Sequence, residues 1–169
     1  QSDVLGEARA VDYMHREALE SLPAVLAERA IVNPVLVGHS DGASIALIHA
    51  GAAKWPVRGV VAMAPHVFVE DITVASIAEA KTAYRTSDLP RKLGRYHRDV
   101  DATFWGWNDI WLHPDFRAWN IEASLPTVRC PVLLIQGADD EYGTTAQLDA
   151  IARGVKGPVE TLVLPACKH

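Results

Sequence analysis

The sequence predicts an α/β fold in which a parallel sheet of about four strands is flanked by helices and interrupted by an inserted helical segment. Three observations support this prediction. Short apolar runs without polar alternation recur along the chain, helical segments separate them, and one separation is far longer than an ordinary connection. Continuous apolar runs separated by helices are typical of parallel sheets that are covered on both faces, so we expect two covered faces here.

The elements follow in chain order. Apolar residues recur at helical spacing from Ala8 to Leu26, which predicts an amphipathic helix that is kinked or restarted near Pro23. A buried helix is predicted at 41–53, and a further helix, closed by Gly154, is predicted at about 144–153. The predicted strands occupy residues 34–38, 57–64, 131–136 and 159–164.

Residues 67–125 separate the second and third predicted strands, and a connection of this length is uncommon. Capping residues predict one helix from Asp71 to Tyr84 and another after Ser87-Asp88, and a third helix is predicted from about Asp101 to Leu112. We therefore predict a core formed by residues 1–66 and 126–169, and a helical insert formed by residues 67–125.

Four of the chain's five tryptophans lie in this insert. Phe104, Trp107 and Trp111 share one helical face at spacings of three and four residues. Two interpretations stay open. The rings form the insert's own small core, or some of them, with Trp107 and Trp111 as candidates, cover an apolar substrate pocket.

The segment Gly38-His39-Ser40-Asp41-Gly42 follows a predicted strand and precedes a predicted helix. A G-x-S-x-G pattern in this setting is typical of a sharp turn that exposes a nucleophilic serine. We expect side chains at Gly38 and Gly42 to collide with the neighbouring strand and helix. Ser40 is the predicted nucleophile, and the amide of Asp41, at a helix N-terminus, is the predicted oxyanion donor.

A nucleophilic serine needs a base, and the chain has seven histidines. His169 follows the last predicted strand and is the best candidate, because the order serine, acid, histidine is the one that this architecture uses. His39 lies beside Ser40, and His66 follows the second strand at the ligand-binding edge of such sheets. Both are predicted to line the site.

The acid is expected directly after the third strand, where Asp139, Asp140 and Glu141 follow Gly137. Asp140 is the preferred residue, because it comes three positions after that glycine. Asp139 and Glu141 stay open as alternatives, either as the acid or as solvated loop charges. The acid would fix the tautomer of His169 and stabilise its imidazolium form.

These residues resemble the α/β-hydrolase superfamily, and within it the group that contains lidded esterases, meta-cleavage-product hydrolases and non-haem haloperoxidase-like proteins. The matching features are residues 35–42, residues 130–140 and His169. The resemblance implies that residues 67–125 are a variable lid and that the chain matches the C-terminal part of a fold with about eight strands. Ser40 stands where the related haloalkane dehalogenases have Asp, which argues against dehalogenation. We expect that the loop that supplies a second oxyanion amide in this family has no counterpart within these 169 residues.

The resemblance implies hydrolysis of an ester-like bond in a small substrate, without a metal or organic cofactor, and the aromatic residues of the insert favour an apolar or aromatic substrate. One alternative is carbon–carbon hydrolysis of a dienoic keto acid, for which Arg85, Arg91 or Arg117 would bind the carboxylate. Another is a truncated module without catalytic activity.

Composition narrows the range of partners. The formal net charge is −5 and no block of Lys or Arg occurs, so nucleic acid and anionic membranes are not expected partners. No apolar run approaches the ~20 residues of a membrane span. Cys130 and Cys167 are the only cysteines, which favours reduced thiols in a cytoplasmic protein. We also expect a bare strand edge near residues 34–38 through which two copies could pair.

Overall fold

The sheet in this computed structural model, which describes residues 8–169, has four strands in the described part of the chain. Their order across the sheet follows the order in the sequence, and every neighbouring pair is parallel. The predicted fold class is therefore confirmed, and each strand begins and ends within two residues of its predicted bounds. The strands are β1 (Val35–His39), β2 (Gly59–Met63), β3 (Val132–Gly137) and β4 (Val159–Leu164).

Seven α-helices and three irregular helical segments connect these strands within residues 8–169. The α-helices are α1 (Tyr13–Arg16), α2 (Leu22–Glu28), α3 (Asp41–Ala52), α4 (Asp71–Thr86), α5 (Leu89–Leu93), α6 (Val100–Trp111) and α7 (Ala146–Gly154). A π-helical segment, Glu17–Ser21, joins α1 to α2, and two 3₁₀ helices occupy Pro114–Ala118 and Glu122–Thr127.

The first helical stretch begins at Tyr13 rather than at Ala8, and it continues without a break to Glu28, changing from π-helical to α-helical geometry at Leu22, next to Pro23. Pro23 has no N–H, so it cannot donate a hydrogen bond to the helical turn that precedes α2. The π-helical segment directly before it contains Ala18, which is fully buried. The buried His49 of α3 donates from Nδ1 to the carbonyl of Ala18 at 2.8 Å. This bond holds α3 to the π-helical segment.

The described chain divides into two compact units. The sheet unit contains Asp12–Phe68 and Asn120–His169. The helical unit contains Val69–Trp119 and residues 8–11.

Among residues 8–169, one face of the sheet is fully buried at its centre and the opposite face is half-buried or exposed, which differs from the expectation of two covered faces. Val60, Ala62, Val132 and Leu134 form a fully buried row, and α3 packs on β1 and β2. On the opposite face, Val37 of β1 is 65% exposed. The strand order explains this difference. In a right-handed crossover, the direction in which the chain moves across the sheet decides which face the connecting segment covers. Because the chain moves across this sheet in one direction, its crossovers are expected on the same face.

The two edge strands are more exposed than their apolar sequences indicate. In β4 the four residues from Glu160 to Val163 are all exposed, so this strand is not the buried strand that the sequence predicts. Within residues 8–169, β1 pairs only with β2, and Val35 is 51% exposed. The association of two copies at this edge stays a prediction, which sedimentation velocity would test.

The helical unit has an aromatic core of its own. Tyr84 of α4 stacks on Phe104 of α6, with ring centroids 3.8 Å apart. The hydroxyl of Tyr84 donates to Asp101 at 2.6 Å, and burial together with this bond raises the pKa of Tyr84 to about 12. Asn108 of α6 donates to the carbonyl of Ile77 at 2.9 Å. These contacts join α4 to α6.

The capping residues of this unit differ in part from the prediction. Asp71 is the first residue of α4 rather than its cap, and its side chain pairs with Arg117. Ser87 accepts a hydrogen bond from the amide of Leu89 at 3.2 Å, at the start of α5. Asp99 caps α6 by accepting from the amide of Ala102 at 2.8 Å.

Candidate active site

Ser40 lies at the junction of β1 and α3 in a backbone conformation that non-glycine residues rarely adopt, with φ 53° and ψ −122°. Hydrogen bonds on both sides hold it there. Its amide donates to the carbonyl of Met63 in β2 at 2.9 Å, and its carbonyl accepts from the amide of Ala43 at 2.9 Å. The hydroxyl-bearing residue is therefore fixed between the neighbouring strand and the first turn of α3.

Gly38 is required at this turn, but Gly42 is not, which corrects the expectation for Gly42. A Cβ at Gly38 would lie 2.2 Å from the carbonyl oxygen of Gly42, which no real structure tolerates. A Cβ at Gly42 would meet no described atom within 4 Å. Since neither glycine has a positive φ, the requirement at Gly38 is the close approach of the helix backbone.

We expect Gly38→Ala to lower the free energy of unfolding by about 3 kcal/mol, because the collision is with backbone that cannot rotate away. Gly42→Ala is the matched control and is expected to change it by no more than about 0.5 kcal/mol. Urea denaturation of both variants checks this prediction. Equal midpoints for the two variants would contradict the steric explanation.

Asp140 and His169 meet at the end of the sheet next to this turn. The Nδ1 of His169 lies 3.0 Å from Oδ1 and 3.0 Å from Oδ2 of Asp140. The Asp140 side chain is only 1% exposed, and its Oδ1 also accepts from the amide of Tyr142 at 2.8 Å. Of the three candidate carboxylates, Asp139 is exposed, and Glu141 accepts a bond from the backbone amide of His169 at 3.3 Å. The carboxylate that contacts the imidazole is therefore that of Asp140.

The local environment keeps Asp140 ionised. Burial alone would raise the pKa of Asp140. Hydrogen bonds from His169 and from the Tyr142 amide, together with the charges of His169 and His66, outweigh burial and lower the pKa below its ordinary value. An ionised carboxylate beside Nδ1 favours the tautomer in which Nδ1 carries the proton and Nε2 is the basic nitrogen.

A second close backbone approach places the segment that ends in His169. A Cβ at Gly137, the last residue of β3, would lie 2.2 Å from the carbonyl oxygen of Cys167. The same carbonyl accepts from the amide of Asp139 at 2.9 Å. The sequence identifies Gly137 as a turn marker, and the structure adds that its missing side chain leaves room for the 167–168 backbone.

Three aromatic rings surround His169. The centroid of the His39 ring lies 4.7 Å from that of His169, and the His66 centroid lies 6.0 Å away. Burial and the nearby charge of His169 lower the pKa of His39. Tyr142, which the sequence patterns do not select, lies 4.9 Å from His169 in an edge contact. No motif marks this tyrosine.

Two further residues make contacts near the turn that the sequence patterns do not predict. Ser44, one helical turn after Ser40, is fully buried and donates from its hydroxyl to the carbonyl of His66 at 2.6 Å. The amide of His66 in turn lies 3.3 Å from the same hydroxyl oxygen. Tyr13 of α1 donates to the carboxylate of Asp41 at 2.5 Å. Each bond joins residues far apart in sequence, so local spacing gives no signal for it.

The tryptophans that the sequence suggests for substrate binding belong to the helical unit. Trp111 is 2% exposed, and its ring lies 5.0 Å from that of Phe116 within this unit. Trp107 is half-buried and contacts Phe104 at a centroid distance of 5.8 Å. Trp111 therefore contributes to the unit's aromatic core, and Trp107 keeps part of its ring exposed.

Residues 3–169 match the family model described as "Alpha/beta hydrolase family". Comparison with curated proteins gave no significant match. Among residues 8–169, no helix combines the length and the apolar character needed to cross a membrane.

Several solved structures share the fold at low sequence identity. An esterase from Thermogutta terrifontis is 17% identical with a TM-score of 0.66, and the match covers 100% of this chain and 68% of that one. An alpha/beta hydrolase from a Medee basin deep-sea metagenome library is 19% identical with a TM-score of 0.70, covering 100% and 68%. A structure described as a putative non-heme bromoperoxidase from Mycobacterium tuberculosis is 18% identical with a TM-score of 0.65, covering 97% and 68%.

Proposed function

Because the chain belongs to the alpha/beta hydrolase family, we propose that it is a serine hydrolase that cleaves an ester-like bond in a small apolar or aromatic substrate. Ser40 is the nucleophile, His169 the general base and acid, and Asp140 the residue that orients His169. No metal or organic cofactor takes part in this proposal. It also places the protein in the cytoplasm, since Cys130 and Cys167 are both free thiols.

The reaction proceeds by acyl transfer. The Nε2 of His169 removes the proton of Ser40 as its oxygen attacks the substrate carbonyl, and the amide of Asp41 stabilises the oxyanion. His169 then protonates the leaving group, which departs and leaves an acyl-enzyme. Water, activated by His169, releases the acid and restores Ser40.

The observation that supports this proposal best is the contact between Asp140 and His169. A buried, ionised carboxylate at 3.0 Å from Nδ1 has the geometry of an orienting acid. The strained serine at the strand–helix turn is a second, independent feature of such a site. His39, the residue before Ser40, lies in ring contact with His169, so both segments reach the same region.

Covalent labelling with a fluorophosphonate tests the proposal directly. The probe phosphonylates a serine only where a base activates it, so peptide mass spectrometry of the labelled protein should place the adduct on Ser40. Heat-denatured protein is the control and should remain unlabelled. An unlabelled native protein would favour the alternative of a module without catalytic activity.

Carbon–carbon hydrolysis of a dienoic keto acid has less support. A basic residue that binds the substrate carboxylate would favour that reaction, and two of the candidate arginines already pair with acids. Arg117 pairs with Asp71, and Arg91 pairs with Asp88 at 2.7 Å. Arg85 lies over the ring of Trp105, with its guanidinium carbon 5.2 Å from the ring centroid. Ester cleavage therefore stays the preferred reaction.

We further propose that the helical unit acts as a lid and that Trp107 contacts the substrate. Trp107→Ala is expected to raise KM for an aromatic ester several-fold with a smaller change in kcat, because exposed aromatic surface contributes binding rather than chemistry. Trp111→Ala, the comparison variant, should instead lower thermal stability. Steady-state kinetics and thermal denaturation separate the two roles, and an unchanged KM in Trp107→Ala would assign this ring to the unit's own core.

A further inference from the structure

A buried glutamine contacts the loop that carries Asp140. Gln136 extends the buried row of Val132 and Leu134 on β3, and it is 2% exposed. Its Nε2 donates to the carbonyl of Gly143 at 2.7 Å and lies 3.4 Å from Oδ2 of Asp140. One amide nitrogen therefore contacts both the carboxylate and the backbone three residues beyond it.

The chemistry of its neighbours fixes the orientation of this amide. Both groups near Nε2, the carbonyl of Gly143 and the carboxylate of Asp140, are acceptors. A flipped amide would point its oxygen at both of them and would be repelled. The donor end of Gln136 therefore faces the acid.

The amide oxygen of Gln136 is expected to lower the stability of the fold rather than raise it. Its Oε1 is buried and has no hydrogen-bond partner among residues 8–169. A buried acceptor without a partner costs free energy, and an apolar side chain of similar size would avoid that cost in this row. A polar residue at this position is therefore better explained by what its nitrogen does.

That nitrogen completes the set of donors around Asp140. Oδ1 accepts from the Tyr142 amide, both oxygens face Nδ1 of His169, and Gln136 lies against Oδ2. The bond to Gly143 also closes the loop from residue 140 to residue 143. Together these contacts restrict rotation of the carboxylate about its terminal torsion.

We propose that Gln136 is a positioning residue that holds the Asp140 carboxylate, and through it His169, in the geometry for proton transfer. This inference rests on the proposed function, since it assigns Gln136 a part in orienting the base. Gln136 does not contact the substrate in this proposal.

A double-mutant cycle on the whole chain tests it. Gln136→Met keeps the volume and removes both donors, so we expect kcat to fall about tenfold or more with KM nearly unchanged. In an Asp140→Asn background the same change should cost no more than about twofold, because a residue that acts only through Asp140 has nothing left to position. Gln147→Met is the matched control. Gln147 is a buried glutamine whose side chain bonds to the backbone of Val67 and Phe68.

The outcomes separate this inference from the proposed function. We expect Gln147→Met to lower stability by the same amount in both backgrounds while kcat stays similar. An equal loss from Gln136→Met in both backgrounds, or no loss in either, would overturn the positioning role. If Gln136→Met does not fold, Gln136→Leu replaces it, and failure of both to fold would show a structural requirement instead. Wild-type protein that gains no fluorophosphonate adduct on Ser40 would contradict the proposed function, whatever the cycle shows.

Discussion

The Ser40→Ala variant is expected to lose ester hydrolysis by a factor on the order of 10⁶, the loss typical of removing a catalytic nucleophile. The fold should persist, because the hydrogen bonds that hold the turn come from the backbone amide and carbonyl of residue 40. Alanine also has the same Cβ as serine, so the substitution adds no strain at φ 53°. Fluorophosphonate labelling should disappear together with turnover.

The matched control is Ser87→Ala. Ser87 is an exposed serine in the helical unit, and its replacement should leave both wild-type turnover and labelling in place. Circular dichroism and urea denaturation would verify that both variants are folded. Turnover in Ser40→Ala at more than about a hundredth of the wild-type rate would show that another group is the nucleophile.

The Asp140→Asn variant is expected to lower kcat by about 10³–10⁴-fold. The amide nitrogen of asparagine would face Nδ1 of His169 as a donor, so His169 would keep its proton on Nε2 and could not accept one from Ser40. Asp139→Asn is the matched control, because Asp139 is exposed and the imidazole lies against its neighbour. It should change kcat by less than about threefold.

The Asp140→Asn substitution should also change how the free energy of unfolding depends on pH. Because the pKa of Asp140 is lowered in the folded protein, its ionised form stabilises the fold above the ordinary aspartate value of about 3.9. This contribution is lost as the pH falls through the lower, folded-state pKa. The difference in unfolding free energy between wild type and Asp140→Asn should therefore shrink on acidification from pH 6 to about pH 3.

A larger kinetic loss in Asp139→Asn than in Asp140→Asn would show that Asp139, rather than Asp140, is the acid.

The sequence predicts the class and strand positions of the sheet well, because short continuous apolar runs between helical segments are typical of few structures besides the strands of a parallel sheet. It also selects Ser40, Asp140 and His169 as candidates, since each follows a predicted strand at the same edge of a parallel sheet. The structure brings Asp140 and His169 into contact, and its unusual backbone at Ser40 agrees with the turn that the glycine pattern predicts.

Other features depend on information that local patterns do not contain. The exposed face of the sheet follows from the order of its strands, which the apolar runs do not specify. Gly38 and Gly42 look equivalent in the motif, and only the path of α3 shows that one of them is required. Gln136 resembles a chance polar residue in a strand until the loop after β3 brings Asp140 beside it.

The exposure of β4 places the proposed base close to a weakly buried part of the sheet. Its central side chains are all exposed, and within residues 8–169 it pairs only with β3. Amide hydrogen exchange should therefore be faster in β4 than in β2 and β3, because a strand with little buried surface opens at a lower free energy than the core. Because His169, the proposed base, follows β4 by five residues, each such local opening would also separate it from Asp140. Activity should consequently disappear at a lower denaturant concentration than helical structure does, and the catalytic rate would report on local opening rather than on global unfolding.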